Sequence, residues 1–157
     1  MDMRMRAPLL AHREDERGYT LIELMVVVLI IGILIAIALP TYLGARERAA
    51  DRALQTNMRT GLAAAVAYYA EEANWDGFDA TQAKLEEAAL SWVDGEPLAS
   101  GQVGIVIHAG QELLLVGESA SGNYFCLAQL ATSPATDRGR GTAFTDVDQT
   151  PECIGGW

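Results

Sequence analysis

The chain has 157 residues, half of them hydrophobic, with a mean hydropathy of +0.13, and it carries 11 Lys and Arg against 21 Asp and Glu for a net charge of −10. That size fits one ordinary domain plus an addition, and the composition excludes a wholly disordered chain, a multi-span membrane protein and a collagen-like or repeat array. The acidity argues against a surface that coats nucleic acid, so partners held by general basic attraction are set aside.

Charge and apolarity are both segregated. Residues 1–18 hold four Arg and four acids, Arg46 to Arg59 hold four Arg and two acids, and Thr60 to Trp157 hold three basic residues against 14 acids. An acidic body on a mildly basic stalk is implied. The excess apolarity lies in Tyr19–Leu39, YTLIELMVVVLIIGILIAIAL. As a helix this run extends ~31 Å, enough to cross a bilayer's hydrocarbon core. Ala36-Ile37-Ala38 offers a small-residue cleavage site, but the run is overlong for a secretory signal and flows into a further helical pattern. The arginines are balanced on its two sides and give no orientation.

Glu23 is the informative residue of this segment. A carboxylate at the edge of an apolar helix is costly unless it is neutralised. Headgroup proximity or the positive end of the helix dipole is one answer. A second follows from cutting the chain between Gly18 and Tyr19: a new α-amino group with pKa ~8 would stand four residues upstream of Glu23 or of a neighbour's Glu23.

These residues carry a resemblance. GYTLIELMVVVLIIGILIAIALPTY, with Gly18, Glu23, Gly32 and Pro40 in order, resembles the N-terminal segment of type IV prepilins and their pseudopilin relatives, over about residues 13–70. The departures are Tyr19, where Phe is commoner, and the acidic Glu14-Asp15-Glu16 near the cut. The resemblance implies cleavage after Gly18 by a prepilin peptidase and methyltransferase, N-methylation of Tyr19, and retention of the helix as membrane anchor and filament core. It places residues 1–18 in the cytoplasm. It implies assembly residues Glu23, Gly32 and Pro40, an inner-membrane assembly platform and a cytoplasmic ATPase as partners, and no cofactor. Gly32 and Pro40 weaken or bend the helix on their own chemistry; the resemblance adds that Ile33 to Leu39 unwinds on assembly.

Beyond Pro40 an amphipathic pattern, Leu43, Ala50, Leu54, Met58, Leu62, Val66 and Tyr69, predicts one helix face running to about Glu72. A continuous element from Tyr19 would reach ~81 Å, so its first half must protrude. Arg46, Arg48, Arg52 and Arg59 read as a solvated face, or as partners for acidic neighbours in a filament. A connecting region, 74–101, contains a short helix over Thr81–Trp92 with Asp79 as N-cap, ended by Asp94-Gly95-Glu96-Pro97. Strands are predicted at Val103–His108, Glu112–Gly117 and Tyr124–Leu130, with a fourth near Thr142–Val147.

The fold class is therefore α+β: a long helix whose C-terminal half packs on a small antiparallel sheet of three to four strands, as in type IV pilins. The organisation is a leader at 1–18, an apolar helix at 19–40, an amphipathic half at 41–73 and a globular head at 74–157. Cys126 and Cys153 form one disulfide if the head is exported, or are two separate buried thiols. A disulfide-bounded 126–153 region resembles that of many pilins.

No nucleophile–base set, P-loop or CxxC motif stands out, so an enzyme is not predicted and nothing binds nucleotide. His108 reads as a surface strand residue. Asp146, Asp148 and Glu152 are candidate Ca²⁺ ligands, without an EF-hand's order, and a solvated acidic loop is the default. The function implied is a structural subunit of a type IV pilus, membrane-anchored and then extracellular, with adhesion, twitching, secretion and DNA capture all open as its role. The alternative is a pseudopilin of a type II secretion or DNA-uptake system.

Overall fold

The computed structural model describes residues 18–133 and 135–157; the expected leader and its Glu14-Asp15-Glu16 lie outside the described residues, Gly18 apart. The chain divides into two units at Pro40. The helix α1 (Leu21–Glu72) contributes to both, with Pro40 inside it and regular helix assigned on either side.

In the first unit every residue from Leu21 to Pro40 is exposed. The segment is long and apolar enough to cross a membrane, and none of that apolar window is buried. An exposed apolar run of this length is suited to a lipid or protein environment.

The second unit is α+β. It takes Thr41–Glu72 of α1, then α2 (Ala80–Glu86), β1 (Trp92–Asp94), β2 (Val103–Ala109), β3 (Glu112–Glu118), β4 (Tyr124–Leu130) and β5 (Thr136–Gly141). Two 3₁₀ turns follow, at Phe144–Asp146 and Thr150–Glu152. The strands form one sheet in chain order, β1 parallel to β2 and the rest antiparallel. A bulge between Ile105 and Ile107 shifts the β2–β3 register. The sheet is thus five-stranded and mixed, where three or four antiparallel strands were expected.

Two apolar layers sandwich this sheet. On one face Val103, Ile105, Leu113, Leu115, Phe125 and Leu127 pack with Leu54, Met58 and Ala65 of α1 and with Trp75 and Phe78. On the other, Leu114, Val116, Cys126 and Ala128 pack with Val147 and Cys153 of the C-terminal segment. Covering both faces explains why β3 reads ELLLVGE without a polar–apolar alternation.

The covered face of α1 is narrower than the periodicity implied: Leu54, Met58, Gly61, Ala64 and Ala65 are buried, while Leu43 and Val66 are exposed. Gly61 is one of the buried positions on that face. A Cβ there would lie 2.8 Å from Cη2 of Trp92, so glycine lets the indole rest on the helix backbone. Seating that ring also cuts α2 short of the expected Thr81–Trp92 span. The helix closes at Glu87, whose N–H donates to the Ala83 carbonyl, and the Trp92 Nε1–H donates to the Glu87 carbonyl at 3.0 Å. Trp92 itself starts β1, which the sequence did not suggest.

The fourth predicted strand is displaced. Thr142–Val147 forms a turn and a 3₁₀ helix, and the strand is Thr136–Gly141. Its TDRGRG sequence looks like a loop, but Gly139 permits close approach: a Cβ there would stand 2.8 Å from the Ile154 nitrogen and 2.9 Å from the Cys126 sulfur.

Polar contacts fix α1 to the sheet. Ser121 Oγ and Asn123 Nδ2, in the β3–β4 turn, both donate to the Asp51 carboxylate. At the far end Ala73 adopts φ 56°, a left-handed helix stop. There the Trp75 N–H donates to the Gly110 carbonyl at 3.0 Å, and Gln111 Nε2 donates to the Ala73 carbonyl at 3.1 Å.

Candidate functional site

The start of α1 is built by Thr20 and Glu23. The Thr20 N–H and hydroxyl donate to Glu23 Oε2 at 2.8 and 2.6 Å, and the Glu23 N–H donates back to Thr20 Oγ1 at 3.2 Å. This is a reciprocal capping box, with the carboxylate satisfying orphan donors at the N-terminus of the helix. Glu23 is therefore hydrogen-bonded within its own chain and exposed. Sequence reasoning missed Thr20, although Thr-x-x-Glu ahead of an apolar run was the available signal.

The other N-terminal candidates sit as follows. Gly18 and Tyr19 precede α1 and are exposed. Gly32 has nothing within 4 Å of the place a Cβ would occupy, leaving a smooth spot on the helix where another helix can approach closely. Pro40 lies inside α1 at the boundary of the two units.

In the second unit Cys126 and Cys153 are joined by a disulfide, Cα to Cα 5.7 Å, across 27 residues. Both are fully buried on the sheet face opposite α1. The bond ties the C-terminal segment to β4, and the Gly156 N–H donates to the Arg138 carbonyl at 2.8 Å beside the Gly139–Gly155 bridge. Trp157 completes the closure. Its Nε1–H donates to the Cys126 carbonyl at 3.1 Å, and its ring meets Phe125 edge-on at 6.0 Å. The guanidinium groups of Arg59 and Arg138 lie 4.9 and 5.7 Å from the Trp157 ring, within cation–π reach.

The acidic loop is partly committed. Asp146 accepts from the backbone N–H groups of Thr142 and Ala143 at 2.9 and 3.0 Å. Those donors hold its carboxyl below the usual range. Desolvation, followed by the Asp148 carboxylate, pushes Glu152 up. Among the described residues no three or more His, Cys, Asp or Glu side chains group as metal ligands, and Asp146 is already engaged by the turn. His108, half-buried on β2 opposite Leu113, keeps a buried Nδ1 without a hydrogen-bond partner.

Together these features define a class: an α+β head tied by a disulfide, with an exposed apolar helix whose first turn is capped by one carboxylate. Residues 14–39 match the Prokaryotic N-terminal methylation motif. The chain is 40% identical over 62 residues to the type IV major pilin protein PilA of Myxococcus xanthus, covering 40% of this chain and 28% of that protein. It is 30% identical over 118 residues to the fimbrial protein EcpC of Eikenella corrodens, covering 73% of this chain and 75% of that protein. With that coverage the chain belongs to the type IV pilin family. That is a family of structural subunits, and the chain is not an enzyme. No solved structure matches it significantly.

Proposed function

We propose that this chain is a structural subunit of a type IV pilus, made as a precursor, cleaved after Gly18, N-methylated at Tyr19 and polymerised through α1. The observation that carries this reading is the wholly exposed apolar face of Leu21–Leu39 with one carboxylate, Glu23, at its start. In the bilayer the segment anchors the subunit. In a filament it buries its Val, Leu and Ile against copies of itself, and Glu23 exchanges part of its cap for the Tyr19 amine of a neighbour. Burial of an unpaired carboxylate disfavours wrong registers, so Glu23 supplies specificity more than stability. Gly32 and Pro40 serve close packing and local unwinding in that assembly.

Partners in this reading are other copies of the chain, a prepilin peptidase and methyltransferase, a membrane assembly platform and a cytoplasmic ATPase. The subunit lives in the cytoplasmic membrane until it is drawn into an extracellular filament. The names of its relatives, a major pilin and a fimbrial protein, favour a pilus over a secretion or DNA-uptake pseudopilus. The test is paired. Gly18→Ala should leave precursor of full mass, and Glu23→Ala should leave processed, anchored protein that assembles poorly. Wild-type mass in the first or wild-type filament yield in the second overturns the corresponding step.

A further inference from the structure

The second unit holds seven Lys and Arg against sixteen Asp and Glu, a net of −9, yet its arginines are gathered. Arg48, Arg52 and Arg59 are spaced by four and seven residues, which places them within about 40° of one another on one face of α1 and over ~17 Å of its length. All three are exposed. Arg59 and Arg138 flank Trp157 at 4.9 and 5.7 Å, so the ring extends the cationic strip from α1 onto β5 and restrains two of its guanidinium groups. Like charges gathered in this way repel one another in an isolated subunit.

The opposite anomaly lies at the other end of the same helix. The last turn of α1 carries Glu71 and Glu72 and no basic residue. Carboxylates there face the negative end of the helix dipole, the reverse of the stabilising arrangement. Both are exposed. One subunit thus displays a cationic strip and, about 28 Å along the axis from Arg52 to Glu71, an acidic turn.

We propose that the strip formed by Arg48, Arg52, Arg59 and Arg138 docks the acidic turn Glu71–Glu72 of a second copy of this chain displaced along the helix axis. The contact is heterologous: each copy uses its strip on one neighbour and its acidic turn on the next, which propagates an open assembly. It rests on the filament reading above and adds to it a charge register set by the head, separate from the carboxylate at Glu23. Rim charges of this kind govern partner choice and encounter rate more than affinity.

The test is a charge swap in the full-length chain, expressed in parallel with the wild-type chain, each in cells that lack any other copy. Arg48→Glu with Arg52→Glu, and separately Glu71→Arg with Glu72→Arg, should each lower filament yield by about tenfold, with membrane-held, disulfide-bonded protein unchanged. All four substitutions in one chain should restore assembly. Arg48 and Arg52 are exposed, so these variants leave the Trp157 contacts intact. Wild-type yield in the separate pairs, or no rescue by the fourfold swap when the head stays folded by limited proteolysis, overturns the docking. Unchanged assembly with lost binding to phosphatidylglycerol vesicles overturns it in favour of a lipid headgroup. Failure of the wild-type copy itself to form filaments instead defeats the filament reading.

Discussion

Thr20 and Glu23 cap α1 reciprocally: the hydroxyl of Thr20 donates a hydrogen bond to a carboxylate oxygen at 2.6 Å, and the Glu23 amide N–H donates one back to the hydroxyl oxygen at 3.2 Å. The acid that filament formation is proposed to use is therefore already positioned in the single subunit. Thr20→Ser should assemble like wild type, whereas Thr20→Val, which keeps the shape and loses the hydroxyl, should slow assembly without affecting cleavage. Pulse-labelled processing and filament yield in the same cells check this. Equal yields for Ser and Val would show that the cap is only a helix start.

Asp51 is the polar link between α1 and the β3–β4 turn. Asp51→Ala removes the acceptor for Ser121 and Asn123 and should destabilise the head by about 1–2 kcal/mol. Thermal denaturation of detergent-solubilised protein measures it. A loss below a few tenths would mean that water replaces the contact at no cost.

Breaking the disulfide by Cys126→Ser with Cys153→Ser should cost ~3 to 4 kcal/mol, because a 27-residue loop is released in the unfolded chain. The first segment to become protease-sensitive should be the one after β5. Cleavage sites mapped by mass spectrometry read out that order.

Two carboxyls in the C-terminal loop give opposite pH signatures. The Thr142 and Ala143 amides lower Asp146, so its stabilising contribution is present above its unfolded value and is lost as pH falls through the lower folded value. Desolvation raises Glu152 first, then Asp148, so its contribution is present below its unfolded value and is lost as pH rises through the raised folded value. Asp146→Asn should remove part of the acid-side loss, and Glu152→Gln should raise stability at neutral pH. Melting curves across about pH 3 to 7, a window that brackets the ordinary carboxylate values, check both signs.

Gly61→Val places a branched side chain where a Cβ alone would stand 2.8 Å from the Trp92 ring. The indole is held by Glu87 and by its edge contact with Phe78 at 6.0 Å, so it cannot swing away freely. A loss of about 1–3 kcal/mol is expected. Tryptophan fluorescence should report the displaced ring.

Much of this fold was legible from periodicity. The end of α1 near Glu72, the Asp79 cap and the cores of β2, β3 and β4 follow from apolar spacing and turn residues that act locally. What escaped depended on distant partners. β5 reads as a Gly- and Arg-rich loop because its glycines serve the approach of the C-terminal segment rather than its own strand preference. Trp92 was assigned to a helix because nothing near it in sequence announces Gly61, 31 residues upstream. At the assembly end Glu23 stood out by its cost in an apolar run. Thr20 was passed over, although its three-residue spacing to Glu23 ahead of an apolar run carries the capping-box signal.

The small bridge between Gly139 and Gly155 has a bearing on how this chain avoids the wrong polymer. β5 closes one margin of the sheet, and an uncovered margin of that kind offers its backbone as a template for stray strands, the route to amyloid-like stacking. Here the chain's own tail occupies part of that margin, kept there by a covalent link to β4. A protein proposed to reach very high local concentration among copies of itself thereby leaves its helix as the favoured way to aggregate in order.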